Sequence, residues 1–113
     1  MNIQIFGTKK CRDTQKAERF FKERRIPYQF RDLKIKGVSV GELDNIKRVI
    51  TIDELFDRDG HQFKKRNMEF MLFNEEEELL NDPLLFKTPV VRNGKLATVG
   101  YKPETWLEWI SQD

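Results

Sequence analysis

The stretch "NIQIFGTKKCRDTQKAERFFKERRIPYQFRDL", residues 2–33, changes its periodicity twice. It opens with a short β-rich run, NIQIF, that sets Ile3 and Ile5 on one face, with Phe6 closing it. Gly7-Thr8-Lys9-Lys10 reads as a loop. From Arg12 to Arg24 the spacing turns helical, with Thr14, Ala17, Phe20 and Phe21 on one face, and Pro27 is expected to stop the helix. YQFRDL then alternates as a strand, with Tyr28 and Phe30 on one side. A helical crossover of this length favours parallel pairing of the two strands.

Downstream of this unit the pattern becomes mostly helical. Ser39 followed by Glu42 forms a capping-box signature, with Leu43, Ile46, Val49 and Ile50 at helical spacing behind it. Thr51 caps a further short helix carrying Ile52, Leu55 and Phe56. DRDGHQFKKRN, residues 57–67, reads as a loop with little internal order. NEEEELLNDP, residues 74–83, reads as a helix whose acids favour the positive end of the helix dipole and which Asp82-Pro83 end. The close is β-rich again. PVVRNGKLAT gives two strands around Asn93-Gly94, and a last helix places Trp106, Leu107 and Ile110 on one face. The order is β-α-β, a helical insertion over about residues 39–83, then β-β-α. It suits one thioredoxin-like (glutaredoxin-like) α/β domain spanning residues 1–113, a mixed sheet with helices on both faces.

Composition narrows the function classes. The 113 residues are enough for one modest core. Lys and Arg total 21 against 19 Asp and Glu, a near balance that gives no general drive toward nucleic acid or an anionic membrane. No apolar run approaches the roughly 20 residues of a spanning helix. The N-terminus lacks the pattern of a signal peptide, so a soluble cytoplasmic protein is expected. The single cysteine excludes an intramolecular disulfide and a structural zinc site built on thiolates. His61 stands without companion ligands and reads as solvated, so no metal site is expected. Arg58, Lys64, Lys65 and Arg66 read as solvated loop charge, and Glu75–Glu78 as a solvated first helical turn.

Cys11 is the residue that carries chemistry. A helix beginning at Arg12 places it at the N-cap, where free backbone N–H groups and the macrodipole favour a thiolate. Lys9, Lys10 and Arg12 add positive potential, and Asp13 opposes them in part. Thr14, one turn along, is placed to donate a hydrogen bond to the sulfur. Thiols in such surroundings ionise well below the free value and become nucleophiles at neutral pH. The alternative is an inert cysteine filling a gap in the core. Thr88-Pro89 is the second feature, a proline opening a strand where its missing N–H is tolerated.

The residues 3–33, the FKTPVV run at 86–91 and VGYKPETW at 99–106 together resemble the ArsC-like family. That family includes arsenate reductases, the Spx and MgsR transcription regulators and the YffB-type proteins. The resemblance extends over nearly the whole chain. It implies a thioredoxin-like fold with a helical insertion, a cis Pro89, and Cys11 as the functional thiol. It also implies Lys10, Arg12, Thr14, Thr88, Pro89, Arg92 and Tyr101 as residues around a bound substrate or thiol, with Lys10, Arg12 and Arg92 attracting its carboxylates.

The departures bear on function. Glutathione-linked arsenate reductases hold their oxyanion with three arginines, and this chain has Asp57, Thr88 and Tyr101 at those positions. After the cysteine it reads Arg12-Asp13-Thr14 rather than G-T-S, nearer the YffB-type members. Thr14 also stands where Spx carries the second cysteine of its C-x-x-C switch, so that disulfide cannot form. The expectation is a thiol-dependent oxidoreductase with one nucleophilic cysteine and no bound cofactor. Its mixed disulfide would be resolved by glutathione, another low-molecular-weight thiol or a partner protein's cysteine. The alternative is an Spx/MgsR-like regulator that binds RNA polymerase, and arsenate reduction ranks last.

Overall fold

The computed structural model describes all residues, Met1–Asp113. Strand β1 (Ile3–Gly7) is central beside β2 (Tyr28–Asp32) and β3 (Val90–Asn93), and β4 (Leu96–Val99) closes the far edge, giving the order β2-β1-β3-β4. β1 and β2 run parallel in the register Ile3 to Tyr28. β3 runs antiparallel to both β1 and β4. The parallel pair is joined by helix α1 (Arg12–Glu23), as its length requires.

Alternation along β1 divides the core between the two sheet faces. Ile3, Ile5 and Val91 meet Ala17, Phe20 and Phe21 of α1 and the two tryptophans of α6 (Pro103–Gln112). Phe6 does not close that face. It points to the other one, where it packs with Val90, Leu33 and the helices between β2 and β3. Those helices are α2 (Val40–Ile46), α3 (Ile52–Leu55), α4 (His61–Lys65) and α5 (Glu75–Asn81), with 3-10 turns at Met68–Phe70 and Pro83–Leu85. Trp106 is fully buried, and its indole N–H donates to Thr98 Oγ1 at 2.9 Å. Truncation of such a residue to Ala costs about 3–5 kcal/mol.

Four local expectations change. Residues 57–67 are not irregular, because Phe63 is drawn into the core, edge-on against the stacked Phe56 and Phe73, and α4 forms around it. α1 ends at Glu23 with Arg24 as its cap, within a residue of the expected end, but it is closed by its own turn rather than by Pro27. Arg25 adopts a left-handed φ of 57°, Ile26 N–H bonds to Phe21 O at 2.9 Å, and Arg25 N–H bonds to Lys22 O at 3.0 Å. This is the double-bonded Schellman closure, here without its usual glycine. The β3–β4 turn is centred on Gly94-Lys95, since Asn93 pairs with Leu96, and Gly94 supplies the φ of 59°. In α6, Trp109 rather than Leu107 joins Trp106 in the core, and Leu107 is half-exposed. The capping box of Ser39 and Glu42 is present as read, and Asn74 caps α5 through Glu77 N–H.

The acids of α5 are paired rather than merely solvated. Glu75 meets Arg58, Glu76 meets Lys47 at 2.7 Å, and Glu78 shares Arg66 with Asp82. Pairs this exposed contribute at most about 1 kcal/mol each. Their effect is to join α5 to the neighbouring segments.

Candidate active site

β1 ends at Gly7, and the chain turns through Thr8–Lys10 so that Cys11 N–H bonds back to Thr8 O at 3.2 Å. Cys11 is the N-cap of α1, with φ −73° and ψ 120°. Thr14 sits in the first turn, fully buried against Gly7. A Cβ on Gly7 would lie 2.4 Å from Thr14 Oγ1 and 2.6 Å from its Cγ2, so only glycine allows this approach. Thr14 Oγ1 is buried and has no hydrogen-bond partner.

The other wall comes from the far end of the chain. Phe56 and Phe86 form an isolated antiparallel bridge, with Asp57 N–H on Leu85 O at 2.8 Å and Lys87 N–H on Leu55 O at 2.7 Å. This clamp delivers Thr88, whose peptide bond to Pro89 is cis. The Thr88 hydroxyl donates to Cys11 Sγ at 3.1 Å, and the thiol lies 3.7 Å from Thr88 O. The N–H of Thr88 has no partner within the chain. Gly100, at a φ of 85°, closes the site by donating its N–H to Pro89 O at 2.8 Å.

Partial burial opposes ionisation of the Cys11 thiol, and hydrogen bonding more than offsets it. The hydroxyls of Thr14 and Thr88 and the N–H groups of Thr14 and Asp13 all favour the anion, so the pKa is lowered from its ordinary value. The Thr14 hydroxyl has no other hydrogen-bond partner, so it is free to donate to the charged sulfur.

Cys11 opens onto a cleft of about 550 Å³ whose lining also includes Asp13, Glu54, Asp57, Lys87, Thr88 and Lys102, with Val99 and Gly100. No ion pair engages any of these charged side chains. No arginine lines it.

The structure brings Cys11, Thr14, Thr88 and Pro89 together. Lys10 and Arg12 are exposed beside the loop and do not line the cleft. Tyr101 packs edge-on against Trp106 with centroids 5.6 Å apart, next to the cleft but not in its wall. Arg92 is displaced from the thiol altogether. β3 runs antiparallel to β1, so moving three residues on from Pro89 carries Arg92 about 10 Å toward the opposite end of the sheet. There it donates to Gln4 Oε1 at 3.0 Å. Glu54, Lys87 and Lys102 were not singled out from sequence. They reach the cleft through the Phe56–Phe86 bridge and the β4–α6 connection, which no local pattern announces.

This chain is similar to the global transcriptional regulator Spx 2 of Oceanobacillus iheyensis, 28% identical over 127 aligned positions that cover 96% of this chain and 93% of that protein. Among solved structures, a YFFB protein superposes with a TM-score of 0.81 at 25% identity, covering 94% of this chain and 96% of the other. An ArsC family related protein from Bacteroides fragilis gives 0.77 at 27% identity, covering 96% and 97%. The fold is thioredoxin-like. A family model matches residues 6–109, from the end of β1 to the tryptophans of α6, and the chain belongs to the ArsC family.

Proposed function

We propose that this protein is a monothiol oxidoreductase that works by thiol–disulfide exchange at Cys11. The observation that carries this reading is the Thr88 hydroxyl donating to the sulfur of the N-cap residue of α1, 3.1 Å away, at the wall of an open cleft. Cys11 Sγ attacks one sulfur of a substrate disulfide as thiolate. A new S–S bond forms to Cys11, the substrate's S–S bond breaks, and the departing thiolate takes a proton from solvent. An external thiol, glutathione or another low-molecular-weight thiol or a partner protein's cysteine, then attacks the mixed disulfide as its thiolate and releases Cys11. Thr88 and Thr14 stabilise the sulfur anion before attack and after release. The free N–H of Thr88 offers a backbone donor to an extended peptide-like substrate lying along the cleft.

Arsenate fits this cleft poorly. Tight recognition of an oxyanion relies on fixed cationic forks. Here Asp57 stands in the wall, joined by Asp13 and Glu54, and the only cations are two lysines.

The test is trapping of adducts on Cys11 after mild oxidation, read by mass spectrometry, together with turnover of a mixed disulfide by glutathione. A mixed disulfide on wild type that external thiol removes, and none on Cys11→Ser, is expected. A Cys11 that forms no adduct under conditions that oxidise free cysteine would overturn the reading.

A second reading rests on the likeness to Spx 2. In it the chain is a transcription regulator that contacts RNA polymerase and uses no C-x-x-C switch. Recovery of polymerase subunits by wild type and Cys11→Ser alike, without exchange activity, would favour it. Their absence would remove it.

A further inference from the structure

We infer that a second cleft, beside the β3–β4 hairpin turn and sharing no residue with the thiol cleft, binds the phosphoryl group of a small phosphate monoester. Asn45, Arg48 and Val49, at and just beyond the end of α2, face Arg92, Gly94 and Lys95 across a cavity of about 370 Å³. Three cations line it and no carboxylate does.

The arrangement is built, not incidental. Gln29, Gln4 and Arg92 stand in register across β2, β1 and β3. Gln4 Nε2 donates to Gln29 Oε1 at 3.4 Å, and Arg92 Nη1 donates to Gln4 Oε1 at 3.0 Å. A polar ladder across the sheet thus fixes one edge of the guanidinium. The other half-buried arginines meet carboxylates, Arg31 with Glu42 and Arg66 with Glu78 and Asp82. Arg92 has only a neutral amide. Arg48 and Lys95 form no ion pair either, and the nearby Asp44 faces Lys47 at 3.4 Å.

Three unneutralised cations around one cavity repel one another until an anion enters. A phosphoryl dianion matches the guanidinium fork and balances more of the charge than a carboxylate does. The cavity exceeds the size of phosphate alone, leaving room along Val49 and the Gly94 backbone for the organic group it is esterified to.

The test is an amide NMR titration at constant ionic strength with inorganic phosphate, adenosine monophosphate, citrate and a short single-stranded oligonucleotide. Saturating shifts are expected at Arg48, Arg92, Gly94 and Lys95 with phosphate and the monophosphate, and unchanged in Cys11→Ser. Arg48→Gln and Lys95→Gln, both at exposed positions, should each weaken binding at least about fivefold. Arg92→Lys, which keeps the charge and loses the fork, should weaken it too. Non-saturating shifts spread over all basic surfaces, indifference to the Arg48 and Lys95 substitutions, or citrate binding in preference to phosphate would overturn the assignment. Oligonucleotide binding far tighter than the monophosphate would overturn its small-molecule form.

Discussion

The hydroxyl of Thr88 donates to the sulfur of Cys11 at 3.1 Å, joining residues 77 positions apart in the chain. The contact exists because the insertion clamps the approach to β3 through Phe56 and Phe86 while β1 delivers the start of α1. Thr88 occupies the position where the glutathione-linked arsenate reductases, by the resemblance, carry an arginine.

Thr88→Val keeps the shape and removes this donor. Hydrogen bonds to charged groups contribute about 1.5–3 kcal/mol, so alkylation of Cys11 by iodoacetamide near neutral pH should slow about tenfold. Thr88→Ser should restore most of the rate. Equal rates in all three proteins would show that the contact does not govern the thiol.

Thr14→Val separates stability from reactivity. Its buried hydroxyl lacks a hydrogen-bond partner, so the valine variant should match or exceed wild-type stability, by up to about 1 kcal/mol in urea unfolding at acidic pH. Alkylation should nevertheless slow, because the thiolate loses a donor.

Stability should depend on pH through Cys11. Its folded pKa lies below the unfolded value, so the folded state releases its proton first and the unfolded chain holds more protons between the two. The stability of wild type relative to Cys11→Ser should therefore rise with pH across that window. It should level off above the unfolded thiol pKa and be lost as pH falls through the folded one. Urea midpoints of the pair measured across neutral and alkaline pH check the sign. A difference that shrinks as pH rises would contradict it.

Gly7→Ala should destabilise the protein by about 1–3 kcal/mol, because the new methyl meets Thr14 at 2.4 Å and the thiol loop must move. Chemical denaturation gives the magnitude, and Cys11 reactivity should change with it.

Asp57→Asn tests the charge of the cleft. Removal of a carboxylate from the wall should speed reaction with an anionic aromatic disulfide and slow reaction with cystamine, each a few-fold at low salt and less at high salt. Unchanged rates with both probes would show that Asp57 does not influence what enters.

The β-α-β opening was legible because its periodicities are local. Ile3, Ile5, Phe20 and Phe21 fall where their spacing puts them, and Cys11 caps α1 as the loop-to-helix change implies. The capping motifs at Ser39 and Thr51 were legible for the same reason. α4 was not, because its helix depends on Phe63 finding Phe56 and Phe73, a tertiary contact. Within the site, Thr88-Pro89 was legible as a strand opening, and its cis peptide bond came from the family resemblance. Arg92 was misplaced because antiparallel register, not distance along the chain, decides which end of the sheet a residue reaches. Glu54 and Lys87 reach the cleft only once the Phe56–Phe86 bridge forms, and Lys102 only through the β4–α6 connection.

The most direct measurement is ionisation of Cys11 itself, followed by thiolate ultraviolet absorbance against pH with Cys11→Ser subtracted. A midpoint below that of an unperturbed cysteine, moving upward in Thr88→Val, is the result expected here. A midpoint at or above the unperturbed value, indifferent to Thr88, would contradict a sulfur activated by the start of α1 and its two threonines.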